Sequence, residues 1–177
     1  MSDWTMGPDG IPFRNAARVI LFDAQGNTLL IEGHDKDNPS RHWWFTVGGG
    51  LQEGEGAREG ACRELAEETG IELSASQRLG PAIYRQAIFD FARGSARQHE
   101  TFFVAYLDGR EKRIDRKWTQ SETQVLDGYR WFDQNELRQL QKDGAALYPA
   151  ELFSLLNRWQ HGYDGHVQHI GINESGN

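Results

Sequence analysis

The stretch from Gly49 to Ile71 concentrates the residues whose types and spacing suit chemistry. Gly49 is followed after five residues by Glu55, and after seven more by Arg63-Glu64-Leu65-Ala66-Glu67-Glu68-Thr69-Gly70-Ile71. On a helix, at about 100° per residue, Glu64, Glu67 and Glu68 fall within an arc of roughly 100°. Ala61, Cys62 and Leu65 fall on another arc and can pack against a sheet. Like charges at these spacings repel one another and weaken a bare helix. A divalent cation with oxygen ligands would offset that repulsion, and carboxylate-rich sites suit Mg2+ or Mn2+ bridging to phosphates. Arg63, four residues before Glu67, can pair with it and fix one carboxylate. The glycines ahead of the helix let backbone come close to a metal, with a carbonyl oxygen as ligand. The ordinary alternative is a solvated acidic face.

The elements that must position these groups follow from patterning. Residues 1–13 read as an irregular lead-in around Gly7-Pro8-Asp9-Gly10. Ala16–Phe22 and Thr28–Glu32 form a hairpin across Asp23-Ala24-Gln25-Gly26-Asn27. A polar loop then leads to a short aromatic strand, Trp43–Val47, which runs into Gly48-Gly49-Gly50. Ala57–Thr69 is a helix stopped by Gly70. Strands are expected at Ala82–Phe91, Thr101–Leu107 and Tyr129–Phe132, with residues 108–127 a loop. Asp133 caps a helix over Gln134–Lys142 with Glu136 completing a capping box. Pro149 opens a last helix running to about Trp159. The domain spans residues 14–160, and residues 161–177 are a flexible polar tail. Strands, one central helix, more strands and terminal helices together give an α/β fold, a mixed sheet with helices on both faces.

Length and composition bound the function. A chain of 177 residues fits one domain with a core that needs no staple. The single cysteine, Cys62, excludes an intrachain disulfide and fits a reducing compartment. No basic or apolar leader and no spanning apolar run is visible, so a cytoplasmic protein without membrane partners is expected. The formal charge of −7 disfavours extended nucleic acid as partner but not a small phosphorylated molecule held through metal ions or a local cationic patch.

Seven fixed identities at their spacings arise by chance less than roughly once in 10⁸ start positions. The stretch matches, at every defined position, the Nudix box Gly-x5-Glu-x7-Arg-Glu-U-x-Glu-Glu-x-Gly-U, where U is aliphatic. The protein therefore resembles the Nudix (MutT-like) hydrolases, from about Asn15 to Gln160, including the Trp-Trp before the glycines. Val47 departs from the pattern, since many relatives carry proline there. The resemblance implies an α/β/α sandwich with a central mixed β-sheet, dependence on Mg2+ (or Mn2+), and cleavage of a phosphoric anhydride in a nucleoside diphosphate linked to another moiety. It further implies metal ligands among Glu64, Glu67 and Glu68, helped by a carbonyl of Gly48 or Gly49. Glu64 is expected as base or bridging ligand, with Arg63 and Glu67 completing the catalytic set. An extra metal-binding glutamate in a later strand is common in the family, which makes Glu100 a candidate and Glu122 a second. Many Nudix enzymes are homodimers, and nothing in this sequence fixes that.

Outside the box, Trp43 and Trp44 alternate faces in a strand, so one packs inward while the other either packs as well or stacks on a ligand ring. Arg110, Lys112, Arg113, Arg116 and Lys117 with Trp118 form either a phosphate-holding loop or a solvated one. His166 and His169 have no cysteine partner and no metal role. Cys62 is a packing residue. Two other functions compete on this fold. A diphosphate isomerase would need a catalytic cysteine outside the box, which is missing here. A non-catalytic nucleotide sensor often has a degraded box or an attached DNA-binding domain, and neither is present. The choice of substrate rests with loops 33–42 and 108–127, whose sequences do not decode it.

Overall fold

A computed structural model describes residues 4–91, 94–109 and 126–171. The strands are β1 (Thr5–Met6), β2 (Pro12–Phe22), β3 (Thr28–His34), β4 (His42–Phe45), β5 (Val47–Gly50), β6 (Leu79–Phe91), β7 (Gly94–Tyr106), β8 (Leu126–Phe132), β9 (Leu147–Tyr148) and β10 (Gln168–Ile170). The helices are α1 (Ala57–Thr69), α2 (Gln134–Lys142) and α3 (Leu152–Trp159). They form one mixed sheet with helices on both sides, an α/β/α sandwich. Its path runs β10-β6-β7-β2-β3-β4-β9, with β5 added on β2 and β8 on β3. β2 pairs in parallel with β7 over ten positions, from Phe13↔Arg97 to Phe22↔Tyr106, and antiparallel with β5 from Ala16↔Gly50 to Val19↔Val47.

Alternation along β2 splits the core in two, because successive side chains leave opposite faces. Ala17, Val19 and Leu21 join Val47, Phe103, Ala61 and Leu65 in a cluster beneath α1. Ile20 and Phe22 join Phe102, Val104, Phe132, Leu156 and Trp159 beneath α2 and α3. Fully burying one such Leu or Phe contributes about 1.5–3 kcal/mol. The Asp133 side chain accepts from the N–H groups of Asn135 and Glu136, and Glu136 reaches back to the Asp133 N–H, so the capping box forms as the spacing predicts.

Several boundaries differ from the sequence expectation: β6 starts at Leu79, β7 at Gly94 and β8 at Leu126, each earlier than expected, and β8 takes the end of the expected 108–127 loop. The lead-in is not irregular throughout: β2 runs beyond its apolar stretch because β7 pairs with it from Phe13 and β1 pairs with it at Pro12 and Phe13. The glycines do not follow a strand but make one, β5, separated from β4 at Thr46. α3 begins at Leu152, not at Pro149. Leu147–Tyr148 pairs with β4, and the residue before a proline favours extended backbone, so the chain must turn before it coils. The tail is not loose over its described part: Gln168–Ile170 adds in parallel to β6. Among the described residues, no helix is long and apolar enough to cross a membrane.

Candidate active site

The site lies where α1 crosses β5. α1 runs over Ala57–Thr69, the span its composition predicts, and ends at Gly70, whose φ of 75° is the left-handed cap conformation. Ala61 and Leu65 bury its inner side, and Tyr129 Oη donates to the Glu68 carbonyl in the last turn. The glutamate arc is then graded by its distance from the sheet. The Glu67 side chain is 57% exposed and the Glu64 side chain 14%, while Glu68 is 7% exposed as a residue.

β5 meets this arc with backbone alone. The Gly48 N–H donates to Glu68 Oε2 at 3.3 Å. A Cβ on Gly49 would lie 2.7 Å from the Glu64 carboxyl carbon, so the carboxylate rests in space that only glycine leaves open. Arg63 ties the cluster together. Its Nε and Nη2 form a fork on Glu55 at 2.7 and 2.9 Å, and Nη1 reaches Glu64 at 2.8 Å and Glu67 at 3.0 Å. Nη2 also donates to the Gly50 carbonyl at 3.1 Å. The pairing of Arg63 with Glu67 is as the spacing predicts, and Glu55 proves to be the anchor of the same guanidinium. The hydrogen bonds from Arg63 hold the Glu55 carboxyl below its usual range, against a smaller upward push from burial.

One guanidinium thus serves three carboxylates, and the group retains net negative charge. Among the described residues, no three His, Cys, Asp or Glu side chains stand in coordinating geometry as they are. The donor chemistry nonetheless fits a hard divalent cation, because only oxygens converge, on a glycine cradle that a Cβ would fill. Glu64, Glu67, Glu68, Gly48 and Gly49 are brought together. Glu100 is not part of that group. It lies 2% exposed on the opposite sheet face, with Oε1 on Arg18 and Oε2 on Arg85. Glu122 and the basic run Arg110, Lys112, Arg113, Arg116 and Lys117 with Trp118 lie outside the described residues.

A cleft opens beside Arg18, Arg85 and Glu100. Cavities of about 240 and 90 Å³ share Trp43, Arg85, Phe89 and Tyr148, and the smaller also touches Arg18, Phe45 and Glu100. The tryptophans divide as alternation requires. Trp44 packs edge-on against Phe132 at 4.9 Å, while Trp43 faces the cleft. Asp35 and Arg41 of the 33–42 loop line the larger cavity. Sequence reasoning missed Arg18, Arg85, Phe89 and Tyr148. One signal was available for Arg18, a lone charge inside the apolar run Ala16–Phe22. Cys62 is half-buried and its thiol is pushed up by burial, as suits a packing residue. His166 sits beside Asp164, and His169 stacks on Tyr84.

A model of the NUDIX domain matches residues 12–156. An RNA pyrophosphohydrolase of Dinoroseobacter shibae is 39% identical over 69 residues, which is 37% of this chain and 41% of that protein. This chain therefore spans about two fifths of that relative's length. An RNA pyrophosphohydrolase of Caulobacter vibrioides is 32% identical over 123 residues, 64% of this chain and 67% of that one. Among solved structures, the MutT protein of Bacillus halodurans superposes with a TM-score of 0.60 at 20% identity, covering 92% of each chain, a likeness of fold. With the box intact at α1 and β5 and the domain matched over most of its length, the chain belongs to the Nudix family.

Proposed function

We propose that this chain is a metal-dependent Nudix hydrolase that cleaves the phosphoric anhydride of a nucleoside diphosphate linked to another moiety. The observation that carries the reading is the convergence of Glu64 on Gly49 and of Glu68 on Gly48. Glu64, Glu67 and Glu68, with a carbonyl of Gly48 or Gly49, would hold Mg2+ or Mn2+. When bound, such ions neutralise diphosphate oxygens and stabilise the charge that builds on them. Glu67 and Glu68 would be the principal ligands. Glu64, partly shielded and tied to Arg63, serves as base toward an attacking water or as bridging ligand. Arg63 sets the spacing of the carboxylates through its fork on Glu55. The cleft walled by Trp43 and Tyr148 receives the nucleotide's ring.

A substrate panel tests this. Sugar nucleotides, ADP-ribose, dinucleoside polyphosphates, oxidised nucleoside triphosphates and NADH are incubated with Mg2+ or Mn2+, and phosphate is read after phosphatase coupling. The identity to proteins named RNA pyrophosphohydrolases adds a 5′-triphosphate oligoribonucleotide to the panel. Metal-dependent release from at least one compound is the expected result, and none from any of them would refute the reading. The isomerase alternative is disfavoured because the one cysteine sits half-buried within α1.

A further inference from the structure

The sheet face away from α1 carries an ion cluster that the hydrolytic chemistry leaves unused. Glu100 stands opposite Arg85 in the β6–β7 ladder and opposite Ala16 in β2, which places Arg18 on the diagonal. The Glu100 side chain is 1% exposed, and its two oxygens engage different guanidiniums, each at 2.5 Å. Gln98 Nε2 donates to Oε1 at 2.7 Å as well. A buried carboxylate so fully engaged has little left to offer a metal ion.

Among the described residues, the arginines leave several of their donors without a partner. A guanidinium carries five N–H groups. Arg18 spends Nε on Glu100 and Nη1 on the Thr46 carbonyl, and Arg85 spends Nη1 on Glu100. Both lie over rings, Arg18 Cζ 5.4 Å from the Phe45 centroid and Arg85 Cζ 5.7 Å from that of Phe89. Their side chains are 11% and 12% exposed and border the cleft. Two cations on one carboxylate leave a net positive point at its floor, in a chain whose formal charge is −7. Tying down a guanidinium in advance reduces what an anion must spend to order it.

We propose that Arg18 and Arg85, aligned by Glu100, form an anion-recognition unit that takes a phosphate of the substrate other than the one attacked, with the substrate's ring against Trp43 and Tyr148. Glu100 is then a positioning residue and not a metal ligand. The assignment rests on the hydrolase reading and adds to it a substrate class, one with a ring and a second phosphate in the cleft.

Calorimetric titration of the full chain in EDTA, with AMP and with adenosine as probes, tests the unit without turnover. Arg85→Gln weakens AMP binding about tenfold or more and changes adenosine binding less than about twofold, as loss of a charge-assisted contact predicts. Equal AMP affinity in the variant and the wild type, or no AMP binding to the wild type, overturns the proposal. Glu100→Gln, where it folds, keeps its Mn2+ affinity by electron paramagnetic resonance while AMP binding weakens. A loss of Mn2+ affinity of about tenfold makes Glu100 a ligand and overturns its assignment. Arg85→Gln leaves Glu100 paired with Arg18, so the test survives a Glu100 variant that does not fold. Failure of every compound in the panel would refute the hydrolase reading with the AMP result intact, so the two failures are distinct.

Discussion

The Gly48 N–H donates to the Glu68 carboxylate across 3.3 Å and joins β5 to the last turn of α1. A Cβ at Gly48 would stand 2.7 Å from Arg18 Cγ and 2.2 Å from the Ala17 carbonyl oxygen. A single glycine is therefore in close contact with both the acidic helix and the strand that bears the cleft arginine. Its φ of 147° lies in a region that side chains disfavour. Gly48→Ala is expected to cost about 1–3 kcal/mol in urea unfolding, from strain and overpacking together. An unchanged midpoint would contradict the close approach.

Gly49→Ala should act on chemistry more than on stability. Its added methyl meets the end of a side chain, the Glu64 carboxylate, which can swing away. Turnover falls at least about tenfold while the melting temperature moves by only a few degrees. A variant that loses stability but keeps its turnover per folded molecule would argue against a working role for Glu64 at that position.

Glu68→Gln keeps the shape and the Gly48 contact but removes charge. Turnover is expected to drop at least about 100-fold, with an unaltered circular dichroism spectrum. Near wild-type turnover would remove the metal-site assignment.

Metal linkage gives an independent reading. EDTA abolishes activity and Mg2+ or Mn2+ restores it. Mn2+ at about 100 times its dissociation constant stabilises the wild type by about 2.7 kcal/mol. The resulting rise in melting temperature should vanish in a Glu64→Gln, Glu68→Gln double variant. A rise that persists would locate the ion elsewhere.

Acid unfolding should report on Glu100. Burial pushes its carboxyl up, but the charges and hydrogen bonds of Arg18 and Arg85 outweigh this and hold it below the ordinary range. A depressed folded value gives stability that is complete above the unfolded value of about 4.3 and is lost as pH falls through the folded value. Urea midpoints should therefore show Glu100→Gln less stable than wild type at neutral pH, with the gap closing in acid. A gap that does not narrow would mean that ionisation of Glu100 contributes nothing.

The sequence by itself determined the parts of this protein that are local. α1 and its Gly70 cap, the α2 capping box at Asp133 and Glu136, and the pairing of Arg63 with Glu67 depend on residues within one or two helical turns, so spacing was enough. The glycine run ahead of the helix also reads as backbone able to come close to a metal. Tertiary structure alone decided what depends on distant partners. β2 extends to Pro12 because β7 and β1 lie beside it, and Gln168–Ile170 is a strand because β6 offers an edge. Pro149 precedes a turn instead of a helix because Tyr148 is bound to β4. Glu100 is the clearest case. Its type and its place in a later strand suited a metal ligand, but the ladders bring Arg18, from 82 residues away, and Arg85 onto its oxygens. Ion pairing depends on which strands become neighbours, and no periodicity in a single chain encodes that.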